Sequence, residues 1–517
     1  MTLLLEGPGV TVADVVGVAR RGERVRLTDG ALERMRAART VVEQLAEGDP
    51  AYGITTGFGA LATTAIPTGR RADLQRSLIR SHAAGMGPPV EAEVVRAMMF
   101  LRARTLALGY SGARPLVAEG LVSLLNAGIV PKVPEHGSLG ASGDLAPLAH
   151  VGLVLIGEGE VMTGGGVEAA AAVLARNGIA PVVLAEKEGL ALTNGTDGML
   201  GMLCLAVHDA SYLLAAADIV AALSVEGLLA TDRAYAADLQ ALRPHPGQAA
   251  SAANLRAVLA GSPIVASHLH DDLQVQDAYS IRCTPQVHGA ARDTLAFVTE
   301  VTDRELASAI DNPMVLPDGR VESCGNFHGA PVALAADYLA VALAEVGAIA
   351  ERRLDRLLDH NRSHGLPPFL ADDPGVDSGL MIGQYTVAAM CAENRRLAAP
   401  ASVDSYPTSA MQEDHVSMGW SAARKLRVVI ANLRRILAVE WVTAARSIDL
   451  RAPLEPAAGT AAAIRLLRSR VPGAGPDRFL SPELREAEEL LSEEALVDAV
   501  EAVTGPLGCD RTVAARK

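Results

Sequence analysis

The chain has 517 residues, half of them hydrophobic but only 3% aromatic, and a formal net charge of −14. Its length supports a large core, and abundant alanine with few aromatic residues favours close-packed helices over a β-sandwich. The acidic balance argues against a nucleic-acid partner, which would require clustered Lys and Arg.

The N-terminal region mixes strand and helix patterns. Residues 25–28 are typical of a strand, and Thr28 with Asp29 would cap a helix that continues to about Leu45. Helical periodicity dominates from about residue 110 onward. We therefore expect a mainly α protein, with a smaller mixed α/β region at 1–110 and a bundle of long helices at 111–517.

Later segments carry the clearest helix signals. An apolar face recurs from Leu343 to Leu358, and residues 425–450 contain few turn signals. Ser481 followed by Pro482 indicates another helix start, with the serine as cap. The sequence therefore predicts at least two long helices and a shorter acidic one near the C-terminus.

Two patterns resemble ligand-binding motifs but lack their context. Glycines in 157–166 do not stand between a strand and a helix as GxGxxG, so we expect a surface turn or hairpin there. The histidine and acidic runs 268–272 and 414–415 have no HExxH or CxxC companion. We therefore expect no metal.

Cysteine usage and the N-terminus predict a cytoplasmic location. The five cysteines are scattered and lack CxxC spacing, as in reduced intracellular chains. The chain reaches Glu6 before an apolar stretch long enough for a secretory signal. The charge-free segment 145–157 has 13 residues, whereas a membrane helix needs about 20. We expect no membrane partner.

Residues 137–150, GSLGASGDLAPLAH, form the most informative motif. In a tight turn the amide nitrogen of Gly143 can approach the carbonyl carbon of Ala141, because glycine lacks the Cβ that would clash. Ring closure with loss of two waters, one from Ser142, would leave a methylidene-imidazolone, an electrophile that ordinary side chains do not supply. Asp144 would shuttle protons during closure. An Ala-Ser-Gly tripeptide alone is usually only a turn, so the surrounding blocks decide.

The frame around this tripeptide resembles the aromatic amino-acid ammonia-lyase and aminomutase family. The resemblance extends from about residue 50 to about residue 450 in separated blocks. It implies that Ala141, Ser142 and Gly143 form the prosthetic ring without a dissociable cofactor. It also implies a homotetramer that acts on a small amino-acid substrate, with each site built from three subunits.

The resemblance also assigns roles to residues in the other blocks. Tyr52, in YGITTGFG, and Tyr279, in QDAYSIR, are two candidate bases for the β-proton, and the sequence does not choose between them. Arg282 would hold the substrate carboxylate, and Gln276 of the same block is expected to contact substrate. Asn194, in LTNGT, would bond the imidazolone carbonyl and stabilise developing negative charge.

Three further residues would surround the ring and the substrate side chain. Phe327, in GNFH, resembles the aromatic residue that packs by the ring, and Glu413, in QEDH, resembles the carboxylate that meets the substrate. The Ser81-His82 pair resembles the histidine-selective members, whereas His-Leu or Phe-Leu is typical of tyrosine- and phenylalanine-selective ones. A polar match to imidazole discriminates strongly. The implied reaction is elimination of ammonia from L-histidine to give trans-urocanate.

Other functions stay open at this point. A histidine 2,3-aminomutase would use the same group and return ammonia to the β-carbon, and a tyrosine or phenylalanine lyase is disfavoured by Ser81-His82. A scaffold without catalysis is disfavoured because every chemical position of the blocks is filled. Thr193, Cys324 and Tyr406 depart from the pattern expected of histidine-selective members. Their effect on specificity is not predicted.

Overall fold

The computed structural model describes residues 2–46, 54–57, 59, 63–269 and 275–508. The helices of these residues are, in chain order, α1 (Val12–Arg20), α2 (Asp29–Ala46), α3 (Arg71–His82), α4 (Ala92–Ala107), α5 (Pro115–Asn126), α6 (Leu145–Leu155), α7 (Ala170–Arg176), α8 (Glu188–Thr193), α9 (Asp197–Gly227) and α10 (Ala237–Ala241). They continue with α11 (Pro246–Leu259), α12 (Pro263–Ala266), α13 (Tyr279–Arg282), α14 (Thr284–Ala307), α15 (Ala330–Leu358), α16 (Met381–Leu397), α17 (Gly419–Asp449), α18 (Ala458–Arg468), α19 (Leu480–Ser492) and α20 (Ala495–Thr504). The prediction of a mainly α fold is confirmed.

The strands of the described residues are short: β1 (Thr2–Leu5), β2 (Arg24–Leu27), β3 (Met86–Pro89), β4 (Val130–Pro131), β5 (Pro134–His136), β6 (Glu160–Thr163), β7 (Gly166–Ala169), β8 (Met314–Val315) and β9 (Val321–Glu322). β1 pairs with β2 in parallel, and the other sheets are antiparallel, in the orders β3-β5, β4-β6-β7 and β8-β9. The strand predicted at 25–28 is confirmed within one residue as β2. The β6–β7 hairpin confirms the reading of the glycine-rich stretch.

The described residues group into two units made of separated segments. Unit 1 comprises Met1–His208, Thr299–Asp337 and Pro400–Arg424, and unit 2 comprises Asp209–Val298, Tyr338–Ala399 and Lys425–Lys517. All strands named above belong to unit 1, whereas the described residues of unit 2 are helical or irregular. A single boundary at residue 110 stays a prediction.

In unit 1, helix α4 fixes the backbone on which the candidate site is built. Its side chains are almost entirely buried, and it packs on α1 and α5. Arg102 of α4 donates from Nη1 to the Asn194 carbonyl at 3.1 Å and from Nη2 to the Ile310 carbonyl at 3.0 Å. A buried guanidinium with several fixed donors therefore joins two segments that are far apart in sequence.

In unit 2, long helices supply the apolar core that their periodicity predicts. Leu343, Leu354 and Leu357 of α15 are fully buried, and α17 confirms the long helix expected at 425–450. Arg353 and Glu440 form a buried ion pair, with Nη2 to Oε2 at 3.0 Å. This pair ties α15 to α17 across the core.

Of the two helix caps predicted from the sequence, one is present in the structure and the other is not. Thr28 Oγ1 accepts from the Ala31 amide at 3.2 Å, as predicted for the start of α2. The predicted cap at Ser481 is wrong, because α19 already begins at Leu480 after an extended Phe479 and has no side-chain cap. Pro482 nevertheless lies in the first turn, where its missing N–H has no intrahelical partner to lose.

Two helical segments of the described residues, Glu188–Gly227 and Ala330–Leu358, are long and apolar enough to cross a membrane. Their most apolar windows are 94% and 61% buried inside the chain, respectively. Burial of this kind is what core helices show, since an all-round apolar helix needs partners on every side.

Candidate active site

The Ala-Ser-Gly loop lies between β5 and α6 in unit 1, and glycine is required at its turn. Gly140 and Gly143 have φ of 67° and 81°, in the left-handed region that favours glycine. A Cβ on Gly143 would lie only 2.2 Å from the carbonyl oxygen of Gly195. The backbone of residue 143 therefore approaches the Asn194-Gly195 turn more closely than any side chain permits.

Asp144 anchors this loop to the N-terminus of α9. Its Oδ2 accepts from the Gly198 and Met199 amides, both at 2.9 Å, and its Oδ1 accepts from Ser138 Oγ at 2.9 Å. Full burial raises the pKa of Asp144 to about 7, although these hydrogen bonds oppose the shift. A carboxyl group that exchanges its proton near neutral pH thus stands next to Gly143.

Ser142 faces the carboxylate expected to meet the substrate. Its Oγ lies 3.5 Å from Glu413 Oε1, and Glu413 Oε2 accepts from Thr408 Oγ1 at 2.6 Å. Thr408 and Glu413 also pair as an isolated antiparallel bridge. Ser409, Ala410 and Met411, between them, all have positive φ. Such a run is strained for non-glycine residues, so the turn that presents Glu413 is fixed by its surroundings.

His82 ends α3 and lies near the same carboxylate. Partial burial lowers the pKa of His82, and the negative charge of Glu413 raises it by a smaller amount. Its Nδ1 lies 3.1 Å from Ser81 Oγ. Unit 1 therefore brings Glu413 to Ser142, with His82 near the same carboxylate, from three separate blocks of the sequence.

Asn194 is buried beside the loop, but its amide has a definite orientation. Nδ2 donates to the Asn312 carbonyl at 2.9 Å and to Asp311 Oδ1 at 3.3 Å. No donor among the described residues reaches its buried Oδ1. The amide therefore offers an acceptor rather than the N–H expected for the imidazolone carbonyl, and that role stays a prediction.

Phe327 is half-buried in the turn before α15. The neighbouring His328 stacks on His415, with centroids 5.6 Å apart and planes 8° from parallel. A Cβ on Gly329 would lie 2.4 Å from Met199 Sδ, so this turn packs on the residue whose amide bonds Asp144. The segment of Phe327 thus reaches the helix end that anchors the loop.

Gln276, Tyr279 and Arg282 belong to unit 2. Gln276 is exposed, Tyr279 is 73% exposed, and the Arg282 guanidinium lies over the Tyr279 ring at 4.5 Å. Arg282 Nε also donates to the Asp277 carbonyl at 3.0 Å. Tyr279 and Arg282 therefore stand together as a cation–π pair on the surface of their unit.

Tyr52 lies outside the described residues, but its block is partly visible. A Cβ on Gly59, the last residue of that block, would lie 2.5 Å from Ser409 Oγ. The end of the tyrosine loop therefore approaches the turn that presents Glu413.

Lys187 and Asp311 were missed by the sequence reading. Lys187 Nζ lies 2.8 Å from Asp311 Oδ2, and both side chains are almost completely buried. In sequence, Glu186-Lys187-Glu188 is typical of a solvated charged run, and no pattern connects it with Asp311. Lys187 also has a positive φ of 72°, which the sequence does not predict for a lysine.

The unusual positions lie near this region without a common explanation. Thr193 Oγ1 bonds back to the Gly189 carbonyl at 3.2 Å inside α8. The Cys324 amide donates to Asn312 Oδ1 at 2.8 Å, whereas Tyr406 is exposed and bonds Asp404 at 3.0 Å. Nothing in the structure explains why tyrosine stands at 406.

Acidic and histidine side chains do not gather into a metal centre in the part of the chain that the structure describes, where no group of three or more potential ligands occurs. His268 is described and bonds the Ala230 carbonyl at 3.3 Å. Residues 270–272 of the same run lie outside the described residues.

With this geometry established, comparison with known proteins defines the family. The sequence model of the family described as aromatic amino acid lyase matches residues 10–469 of the chain. The chain belongs to the aromatic amino acid lyase family.

Similar relatives and solved structures refine this placement. The chain is 60% identical over 509 residues to a histidine ammonia-lyase of Streptomyces avermitilis, covering 98% of this chain and 99% of the relative. It superposes on histidine ammonia-lyase from Trypanosoma cruzi with a TM-score of 0.92, 38% identity, and coverage of 100% and 98% of the two chains. Tyrosine aminomutase from Streptomyces globisporus gives a TM-score of 0.93, also at 38% identity, with coverage of 98% and 99%.

Proposed function

We propose that the chain is a carbon–nitrogen lyase that eliminates ammonia from L-histidine to give trans-urocanate. The observation that carries this proposal is the Glu413 carboxylate beside Ser142, with His82 close enough to feel the charge of that carboxylate. An imidazole and a carboxylate match the donor and acceptor nitrogens of a histidine side chain. The near-full-length similarity to histidine ammonia-lyases supports the same substrate.

Ala141, Ser142 and Gly143 are the proposed source of a methylidene-imidazolone, with no dissociable cofactor. The residues present fit this group, because Gly143 has the close backbone approach and positive φ that a compressed turn needs. Asp144, with a pKa near 7, is placed to accept and return protons during closure. Once formed, the group supplies an electron sink for the departing amine.

The chain's own side chains then bind and orient the substrate. Glu413, held by Thr408, accepts the ring N–H of the substrate imidazole, and His82 contacts the same ring. Arg282 holds the carboxylate, which places the β-carbon for proton removal. Tyr52 and Tyr279 remain the two candidate bases, and Phe327 packs by the prosthetic ring.

We further propose a cytoplasmic homotetramer in which unit 2 of one chain completes the site of another. The half-buried Arg282 beside the exposed Tyr279 supports this, because a buried substrate carboxylate needs a cation that a neighbouring chain can deliver. Unit 2 also exposes an apolar face that includes Phe297, Tyr338 and Val341. Exposed apolar side chains that cluster in this way are typical of subunit interfaces.

Incubation of the purified protein with L-histidine tests the reaction directly. We expect urocanate and ammonia to accumulate, as followed by near-ultraviolet absorbance and chromatography, and Ser142→Ala to abolish both. Accumulation of β-histidine would instead establish an aminomutase. Turnover of tyrosine or phenylalanine but not histidine would contradict the role given to His82 and Glu413.

Mixing two inactive variants tests the shared site. Ser142→Ala lacks the ring and Arg282→Ala lacks the carboxylate contact, and unfolding and refolding them together forms mixed tetramers. Because some sites then combine an intact ring with an intact arginine, we expect part of the activity to return. A mixture that forms heterotetramers without activity would show that each chain builds its own site.

A further inference from the structure

The segment of unit 2 that carries Arg282 contains a helix of a single turn. Helix α13 comprises only Tyr279–Arg282, and the Ile281 and Arg282 amides both donate to the Ala278 carbonyl, at 3.0 Å. One turn of helix fixes several dihedral angles in return for very few hydrogen bonds, so it is not stable by itself. The position of Arg282 therefore depends on contacts from outside the segment.

Those contacts come from the stretch of chain that follows α9. Thr231 donates to Asp277 Oδ2 from its amide at 3.0 Å and from its Oγ1 at 3.2 Å. Tyr235, which is fully buried, donates from its hydroxyl to the Ile281 carbonyl at 2.9 Å. Because Arg256 of α11 bonds the Tyr235 carbonyl, this anchor is itself tied to the helical core of unit 2.

Asp277 connects this anchor to the guanidinium of Arg282. The Asp277 carbonyl accepts from Arg282 Nε at 3.0 Å, while the Asp277 side chain is held by Thr231. The guanidinium carbon of Arg282 lies over the Tyr279 ring, 4.5 Å from its centroid. Among the described residues no acceptor bonds Nη1 or Nη2. That remaining edge of the guanidinium can hold a carboxylate through two parallel hydrogen bonds.

We propose that Asp277, clamped by Thr231, is a positioning residue that holds Arg282 so that its Nη1 and Nη2 edge meets the substrate carboxylate. This inference rests on the proposed function, since it assumes that Arg282 binds the carboxylate of an amino-acid substrate. Asp277 acts on the substrate only through the guanidinium. Its loss should therefore reduce affinity only for ligands that carry a carboxylate.

The test is equilibrium binding to protein that carries Ser142→Ala, which does not turn over. L-Histidine is compared with histamine, which has the same ring and ammonium group but no carboxylate. We expect Arg282→Ala to weaken histidine binding by about 10- to 100-fold, as for a lost hydrogen bond to a charged group. Asp277→Ala should weaken it by about 5- to 20-fold, because the arginine is retained but less well oriented. Neither variant should weaken histamine binding by more than about twofold, the usual scatter between independent sites.

Conservative and double variants show whether Asp277 acts through Arg282. Asp277→Asn should bind histidine within about twofold of the parent, because its amide oxygen can accept both hydrogen bonds from Thr231. Asp277→Ala combined with Arg282→Ala should bind histidine no more weakly than Arg282→Ala alone. If Asp277→Ala fails to fold, Thr231→Val, which removes the hydroxyl donor, should reduce the preference for histidine over histamine, whereas Thr231→Ser should not.

Asp477→Ala is the matched control, because its carboxylate also bonds two donors in a loop of unit 2, the Ser378 and Gly379 amides, at 2.7 and 2.9 Å. It should leave the preference between the two ligands unchanged. Equal weakening of both ligands by Asp277→Ala would overturn the positioning role, since it indicates a general loss of structure. So would a preference that changes in Arg282→Ala but not in Asp277→Ala.

Failure of the proposed function gives a different pattern of results. A preference unchanged even in Arg282→Ala would remove the carboxylate contact of the proposed function, and this inference with it. Absence of urocanate when the wild-type protein is incubated with histidine would overturn the reaction itself. The positioning role alone fails when urocanate is formed and Arg282→Ala selectively weakens histidine binding, but Asp277→Ala does not.

Discussion

Asp144 should make the stability of the protein fall as pH rises through neutrality. Its pKa is 3.8 ordinarily and about 7 in the folded chain, so the folded state binds the proton more tightly than the unfolded chain does. The free energy of unfolding therefore decreases from about pH 4 to about pH 7, and the ionised form is less stable by about 4 kcal/mol. Below pH 4 both states are protonated and the effect is absent.

Asp144→Asn isolates this contribution because the amide can keep every contact. Its oxygen would accept from the Gly198 and Met199 amides, and its nitrogen would donate to Ser138 Oγ, which is free to turn its own hydrogen to the Gly143 carbonyl. The neutral variant should match the parent near pH 4. At pH 8 it should be more stable by up to about 4 kcal/mol.

Urea unfolding at a series of pH values measures the difference. Both proteins should carry Ser142→Ala, so that ring formation does not alter the loop. A stability difference that stays constant from pH 5 to pH 8 would refute the reasoning, because it would mean that Asp144 does not titrate there. In protein that retains Ser142, Asp144→Asn should also slow ring closure, seen by mass spectrometry as retention of the two waters.

Three other predictions concern the Ala-Ser-Gly loop, the Glu413 carboxylate and the core. Gly143→Ala should prevent the loss of two waters, because its Cβ would lie 2.2 Å from the Gly195 oxygen; a Gly143→Ala protein that still loses the two waters would contradict this. Glu413→Gln should lower the pKa of His82 further and move the acid limb of the KM profile for histidine to lower pH, whereas Thr408→Val, which keeps the charge, should not. An acid limb unmoved by Glu413→Gln would separate His82 from substrate binding. Glu440→Gln should destabilise the protein by about 3–5 kcal/mol in chemical unfolding, and Arg353→Met with Glu440→Leu should recover much of this loss.

Predictions from the sequence were correct where interactions between neighbouring residues determine the structure. Thr28 caps α2 because a hydroxyl before a helix satisfies an exposed amide. The apolar face around Leu343 is buried because a 3.6-residue period produces one apolar stripe. Ser481 failed as a cap because the extended Phe479 lets the helix start earlier, a choice that the local motif does not encode.

The short strands were not predicted from the sequence, for a related reason. β4 and β8 have two residues each, too few for alternation to be recognised. They exist because distant segments pair with them, Val130 with Met162 and Met314 with Glu322. Such pairings depend on the folded chain rather than on the neighbouring residues.

The candidate site also contains residues that the sequence predicted and residues that it did not. Resemblance supplied Ser142, His82 and Glu413, and in unit 1 the structure places Glu413 beside Ser142 and His82 near Glu413. Lys187 and Asp311 could not be found, since a lysine between two glutamates is usually solvated. Lys187 has a left-handed backbone conformation, which its residue type does not predict.

Close approach of two backbones links ring formation to the orientation of Asn194. The Asp144 amide donates to the Gly195 carbonyl at 2.7 Å, the same carbonyl that leaves no room for a Cβ on Gly143. One residue earlier, the Asn194 carbonyl is held by Arg102 and its amide by Asp311. The loop that forms the electrophile therefore contacts the same peptide segment, 194–195, that carries the Asn194 amide. Because that segment is fixed by buried charges on both sides, a shift on either side must displace both the loop and the amide oxygen.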